Sequence, residues 1–209
     1  MLVEHIKDCL ARAENYKSKL NYRPLGMEGM SGQKTRHFYN NICEMDDARY
    51  LEIGTWKGSS FCSAMWENEM TCLAIDNWSE FGGPRNQFLR KFNKFKGNNN
   101  ATFLEADCWE VDTSKIGKFN IYMYDGCHTE ECYQKALPYY LPALDETFIY
   151  LIDDWNWNKV RKGTMDSIKD NNLKIVWEKE IITTNGVRGV GSDWHNGMGI
   201  FILKKTNED

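Results

Sequence analysis

Tyr50-Leu51-Glu52-Ile53-Gly54-Thr55-Trp56-Lys57-Gly58-Ser59-Ser60 reads as a short strand, a glycine turn and the start of a helix whose first amides can receive an anion. The spacing is Glu-x-Gly-x-x-x-Gly. Dinucleotide folds space their glycines Gly-x-Gly-x-x-Gly, because the middle one lets the backbone approach a pyrophosphate. Trp56 fills that place here, so a nucleoside without phosphates fits the turn better.

Outward from this turn, strand-like runs at 49–53, 71–75, 101–105, 120–124 and 147–152 alternate with helical stretches near 58–68, 84–96, 129–139 and 157–170. The runs 121–124 and 148–152 are apolar throughout, as strands buried on both faces of a parallel sheet are. Strand then helix, repeated, predicts a parallel sheet with covered faces. The last two strand candidates, 173–182 and 199–204, are joined by the Gly-rich stretch 183–198, which leaves no room for a crossover helix and predicts antiparallel pairing. Ahead of the first strand, helical periodicity over 2–20 and 33–45 flanks a loop holding Pro24, Gly26, Gly29 and Gly32. The expected fold is α/β: a doubly wound, Rossmann-like, mostly parallel seven-stranded sheet with an antiparallel last strand. Residues 1–48 form its helical amino-terminal extension and residues 49–209 the main domain.

A net charge of −4 over 209 residues gives no basic field, and the cluster Arg85, Arg90, Lys91, Lys94 and Lys96 reads as one solvated helix face, so no nucleic-acid partner is expected. The seven cysteines (9, 43, 62, 72, 108, 127 and 132) contain no Cys-x-x-Cys pair and several lie in apolar runs. They read as reduced core thiols rather than a disulfide framework or zinc site, which places the protein in the cytoplasm. No run approaches the ~18 apolar residues that span a bilayer, so neither a membrane segment nor a signal peptide is expected. The amphipathic first helix could pack on its own sheet or on a partner's, which leaves a homo-oligomer open.

Acids end the strands. Asp76 follows the second strand, 22 residues after Gly54, where a carboxylate can accept from both ribose hydroxyls, and Asp107 ends the third. Asp125 follows the fourth and Asp153-Asp154 the fifth. Open α/β sheets bind ligands at that edge, and carboxylates gathered there suit a hard cation; without one they would repel and raise at least one pKa. The alternatives are that Glu52 and Asp76 merely cap turns, that Asp153 and Asp154 are ordinary loop residues, and that His128 caps the helix starting near Thr129.

Leu51-Glu52-Ile53-Gly54-Thr55-Trp56-Lys57-Gly58-Ser59-Ser60, Tyr124-Asp125-Gly126-Cys127-His128 and Leu151-Ile152-Asp153-Asp154-Trp155 resemble class I S-adenosylmethionine-dependent methyltransferases over about residues 49–204. Within them the chain is most similar to the metal-dependent O-methyltransferases of the catechol and macrocin-like types. The resemblance implies that Glu52, Gly54, Thr55 and Gly58 shape the methionine end of the cofactor, with Ser60 near its carboxylate. Asp76 and Asn77 would hold the ribose, with Trp78 beside the adenine and Asp107-Cys108 at its edge. It further implies that Asp125, Asp153 and Asp154 bind Mg²⁺ or another hard divalent cation, and the second aspartate at 154, where the catechol type has asparagine, sides with the macrocin-like type. His128 stands where the catechol type carries lysine, so the catalytic base is Asp125 or His128. Met30-Ser31-Gly32 resembles a segment that covers the cofactor.

The implied reaction is methyl transfer to a hydroxyl of a small molecule, sugar-containing or catechol-like. Trp155, Trp157 and Trp194 are candidate walls for it, and 183–198 a candidate lid. Two other readings use the same fold: a catalytically silent S-adenosylmethionine- or nucleotide-binding protein, and an NAD-type oxidoreductase, against which Trp56 argues. The sequence does not name the acceptor.

Overall fold

β1 (Arg49–Ile53) is buried along almost its whole length because it lies near the middle of a seven-stranded sheet of order β3-β2-β1-β4-β5-β7-β6. The computed structural model describes residues 1–183 and 193–206. β2 (Thr71–Asp76), β3 (Asn100–Glu105), β4 (Phe119–Tyr124) and β5 (Leu144–Asp153) run parallel to β1. β7 (Met198–Lys205) enters antiparallel between β5 and β6 (Leu173–Ile181). The expected doubly wound sheet with its antiparallel closing strand is therefore observed.

Strand order reverses between β1 and β4, so the carboxyl ends of these neighbours open onto one crevice, where such sheets bind ligands. The helices α4 (Ser59–Met65), α5 (Arg85–Phe95), α6 (Glu130–Tyr140) and α7 (Asn158–Asp170) match the expected stretches to within three residues at each end. On one face, α5 buries Phe88, Phe92 and Phe95; of its basic residues Arg90 and Lys94 are exposed, while Arg85 and Lys91 are half-buried. On the other, α6 and α7 cover Tyr122, Tyr150 and Ile152.

The first amino-terminal helix ends short of the expected 2–20, and the expected loop contains a helical turn. α1 (Leu2–Glu14) stops before Tyr16, which takes φ 53°, and a one-turn α2 (Tyr22–Leu25) precedes α3 (Gln33–Ile42). Asn21 caps α2 by accepting from the Arg23 amide at 2.9 Å. α1 and α3 bury Ile6, Cys9, Ala13, Phe38, Tyr39 and Ile42 in the same core as Tyr50, Phe61 and Ile121, so residues 1–48 complete one face of the sheet.

The cysteine reading needs one correction. Cys127 and Cys132 are joined in a disulfide, with Cα atoms 5.9 Å apart, while Cys9, Cys43, Cys62 and Cys72 are buried free thiols and Cys108 a half-buried one. The Thr129 hydroxyl accepts from the Cys132 amide at 3.2 Å, so the chain before α6 folds back over the helix's first turn and brings the two sulfurs together. No sequence spacing announces that fold-back. Among the described residues no helix is long and apolar enough to cross a membrane.

Candidate active site

The Gly54 turn fixes the floor of the site. Gly54 has φ +84°, and a Cβ there would stand 1.9 Å from the carbonyl oxygen of Asp125, so only glycine lets the β1 turn and the end of β4 lie side by side. The Asp125 amide donates to the Ile53 carbonyl at 2.9 Å and the Gly54 amide to that of Ile75 at 3.0 Å, tying three strand ends together. Over them opens a cavity of about 970 Å³, lined by Gly54, Asp76, Asn77, Asp107, Cys108 and the acidic centre described below.

Asp76 accepts from the Trp56 amide at 2.7 Å and the Trp78 amide at 2.6 Å, one to each oxygen. Both oxygens keep a lone pair for a ligand hydroxyl. Asp107 accepts from the Trp109 amide at 2.9 Å and faces the same cavity. Asp76, Asn77, Asp107 and Cys108 are thus brought together in the cavity wall. Trp78 is not among them: its ring packs on Phe88 at 5.0 Å and Phe103 at 6.2 Å in the core. Glu52, Thr55, Gly58 and Ser60 also lie behind the wall rather than on it. Glu52 accepts from Tyr50 at 2.5 Å and Ser60 at 2.7 Å, and burial pushes its carboxyl up to about 8. The Ser60 hydroxyl is thus engaged by Glu52.

Across the cavity, β4 and β5 present the acids. Asp154, with φ 56°, turns its side chain toward His128, whose Nε2 lies 2.9 Å from Asp154 Oδ2 and 3.3 Å from Asp125 Oδ1. One donor atom from each of Asp125, His128 and Asp154 falls within 4.8 Å of the others. Thr129 caps α6, which leaves His128 to bridge the two carboxylates. Asp153 lines the cavity too, but its Oδ1 accepts from the Asp154 amide at 2.9 Å and it is not a member of that set.

Burial pushes Asp125 up to about 6 and Asp153 well above the usual carboxylate range, where the neighbouring acids raise it further. Burial opposes a charge on His128, but hydrogen bonds to Asp125 and Asp154 outweigh it and lift the imidazole to about 10. Burial also raises Asp154, yet the bonds from His128 and Asn196, the latter at 2.5 Å, win and hold it below the ordinary value. Burial leads the upward shifts of Asp125 and Asp153, and the crowding of acids, the expected cause, only adds to it. Two carboxylates and an imidazole suit a divalent cation, with the nitrogen extending the range from Mg²⁺ toward Mn²⁺, Fe²⁺ and Zn²⁺.

Of the three tryptophans, Trp157 lines the cavity and meets His128 edge-on at 5.3 Å. Trp155 is buried against Phe201, and Trp194 packs on Phe38 and donates to Glu14 at 2.9 Å. Met30-Ser31-Gly32 is among the residues that line the cavity. Of the candidate lid 183–198, residues 184–192 lie outside the described residues. Two site residues have no signature in the sequence: Asn196, which holds Asp154, and Arg36, which looks like one more polar helix position until α3 docks.

The sequence matches the family described as "Methyltransferase domain" over residues 51–155, half of the chain. No curated protein matches it. Among solved structures it is similar to TrmN from Thermus thermophilus (TM-score 0.62, 12% identity, covering 89% of this chain and 52% of that one). SMU.776 complexed with SAH is also similar (0.56, 14%, 85% and 50%), as is precorrin-6y C5,15-methyltransferase from Geobacter metallireducens (0.57, 14%, 83% and 89%). The chain spans about half the length of the first two. At such identities the likeness shows the fold.

Proposed function

The chain belongs to the methyltransferase-domain family, and from that premise we propose that it moves the methyl group of S-adenosylmethionine to a hydroxyl oxygen of a small molecule held against Asp125, His128 and Asp154. One observation carries this reading: donor atoms from two strand ends and a helix entry converge within 4.8 Å, in the same cavity as Asp76 and Asp107. The acids on β2 and β3 suit the ribose and adenine edge, and SMU.776 holds SAH on the same fold.

The cofactor supplies a sulfonium methyl. As its carbon–sulfur bond breaks and the carbon–oxygen bond forms, the hydroxyl proton must leave to a base. Asp125 is placed for this, since its Oδ2 is engaged by no described hydrogen bond, whereas Nε2 of His128 faces two carboxylates. A divalent cation on Asp125, His128 and Asp154 would lower the pKa of a coordinated hydroxyl. Trp157 offers an apolar wall for a flat or sugar-like acceptor.

A second reading follows from the position of His128, which stands between Asp125 and Asp154 where a cation would. In it the imidazolium balances both carboxylates and transfer needs no metal. Calorimetry and labelled-methyl transfer to catechols, phenols and sugars distinguish the two. SAH is expected to bind without metal. Mn²⁺ or Mg²⁺ uptake is expected to vanish in Asp154→Ala, and Asp125→Asn to lower kcat about 10²–10⁴-fold with SAH affinity little changed. Turnover that survives EDTA and is lost in His128→Asn would establish the metal-free form. Failure of SAH to bind ends both readings.

A further inference from the structure

Besides its acids, the cavity wall carries a buried positive charge with no acid paired to it. Arg36, on α3, is 4% exposed. Its Nε donates to Ser31 Oγ at 2.9 Å, and its Nη1 to the carbonyls of Pro24, Leu25 and Met27 at 3.3, 3.0 and 2.8 Å. These bonds hold the amino-terminal segment in place. Both hydrogens of Nη2, however, have no acceptor among the described residues. That nitrogen lies by Gly29, whose Cβ, if it had one, would stand 3.5 Å away, and Arg36 lines the cavity.

The surroundings offer the guanidinium no compensation. Burial is the one influence on its pKa, which falls to about 10, so it stays charged near neutrality. Lys91 donates to the Glu28 carbonyl at 2.6 Å, and the Glu28 carboxylate pairs with Lys57. A buried charge ordinarily has a counter-ion, because desolvation without one is costly. A guanidinium donor left free in a cavity wall is a place for an anion, and planar N–H donors suit a carboxylate. The same cavity is lined by Asp76, Asp107, Asp125 and Asp154, so it carries both signs of charge and fits a zwitterionic or acidic ligand.

We infer that Arg36 is the carboxylate-binding residue of this cavity, with Nη2 receiving a carboxylate carried by the cofactor's methionine end or by the acceptor, while Ser31, bonded to Arg36 Nε and to Ser59 Oγ at 2.9 Å, holds the guanidinium in place. The inference rests on the proposed methyltransferase reading and moves carboxylate recognition from Ser60, which is engaged by Glu52, to the amino-terminal segment.

Two ligand pairs, each differing by one carboxylate, test it by calorimetry. SAH and its decarboxylated analogue probe the cofactor. 3,4-Dihydroxybenzoate and catechol, added to the SAH-loaded protein, probe the acceptor. In the wild type one pair is expected to favour the acid about tenfold or more, the scale of a charge-assisted hydrogen bond. In Arg36→Gln that preference should shrink to about threefold or less, with Arg36→Lys between. The affected pair names the source of the carboxylate. Because Arg36 also holds three carbonyls, Arg36→Lys serves alone if Arg36→Gln does not fold. A preference unchanged in these variants, or none in either pair in the wild type, overturns the assignment to Arg36 while SAH binding stands. No SAH binding in the wild type instead removes the methyltransferase reading on which it rests.

Discussion

Glu52 is fully buried between Tyr50 and Ser60, and burial lifts its carboxyl from the ordinary 4.5 to about 8. A group whose folded pKa is raised stabilises the fold fully below its unfolded value and loses that contribution as pH climbs through the folded one. Unfolding midpoints measured from about pH 5 to about pH 9 should therefore fall in the wild type relative to Glu52→Gln, which cannot ionise. Parallel profiles for the two proteins would refute the shift. At this scale the sequence was uneven. Asp76, Asp107, Asp125 and Asp154 lie where strand-end reasoning puts them, because a residue just past a buried strand has one place to go. Glu52 and Asp153 are acids of the same motifs whose hydrogen bonds point elsewhere, one to Tyr50 and Ser60, the other to a neighbouring amide. Side-chain direction after a turn depends on φ, as the left-handed Asp154 shows, and that angle is not written in residue type.

The β1–α4 turn is the element on which the site hangs. Gly54→Ala would place a methyl group against the Asp125 carbonyl at φ +84°, and strain of this kind costs roughly 1–3 kcal/mol. Chemical denaturation should register that loss, and because Asp125 must yield, SAH affinity should fall with it; an unaltered affinity would mean the turn and β4 are less tightly joined than their geometry indicates. The entry to α6 carries the other local constraint. With Cys127 and Cys132 bridged, unfolded unreduced protein should expose five titratable thiols and reduced protein seven. Seven before reduction would place both cysteines with the free thiols. Element positions were legible almost throughout, since strands and helices announce themselves by period. Missed were the early end of α1, the helical turn α2 and the disulfide, all products of how a loop folds back.

Across the whole molecule, the amino-terminal helices are part of the core. α1 and α3 cover the sheet face that β1, β2 and β4 present, and Ile6, Cys9, Phe38 and Ile42 are wholly buried there. Removing residues 1–42 would expose that face, and since each buried aliphatic or aromatic side chain is worth roughly 1.5–3 kcal/mol, the remainder should lose its cooperative transition in denaturant. A shortened chain that still unfolds sharply would make the segment a true appendage. The sequence by itself determined the class of fold, the strand order's parallel core and antiparallel close, and the edge on which acids gather, because periodicity and strand-end position are local properties. Tertiary structure alone decided that His128 bridges Asp125 and Asp154, that Asp153 turns to the backbone, that Trp78 enters the core, and that Arg36 reaches the cavity from α3. Those outcomes depend on distances between residues far apart along the chain, which exist only once the helices have docked on the sheet.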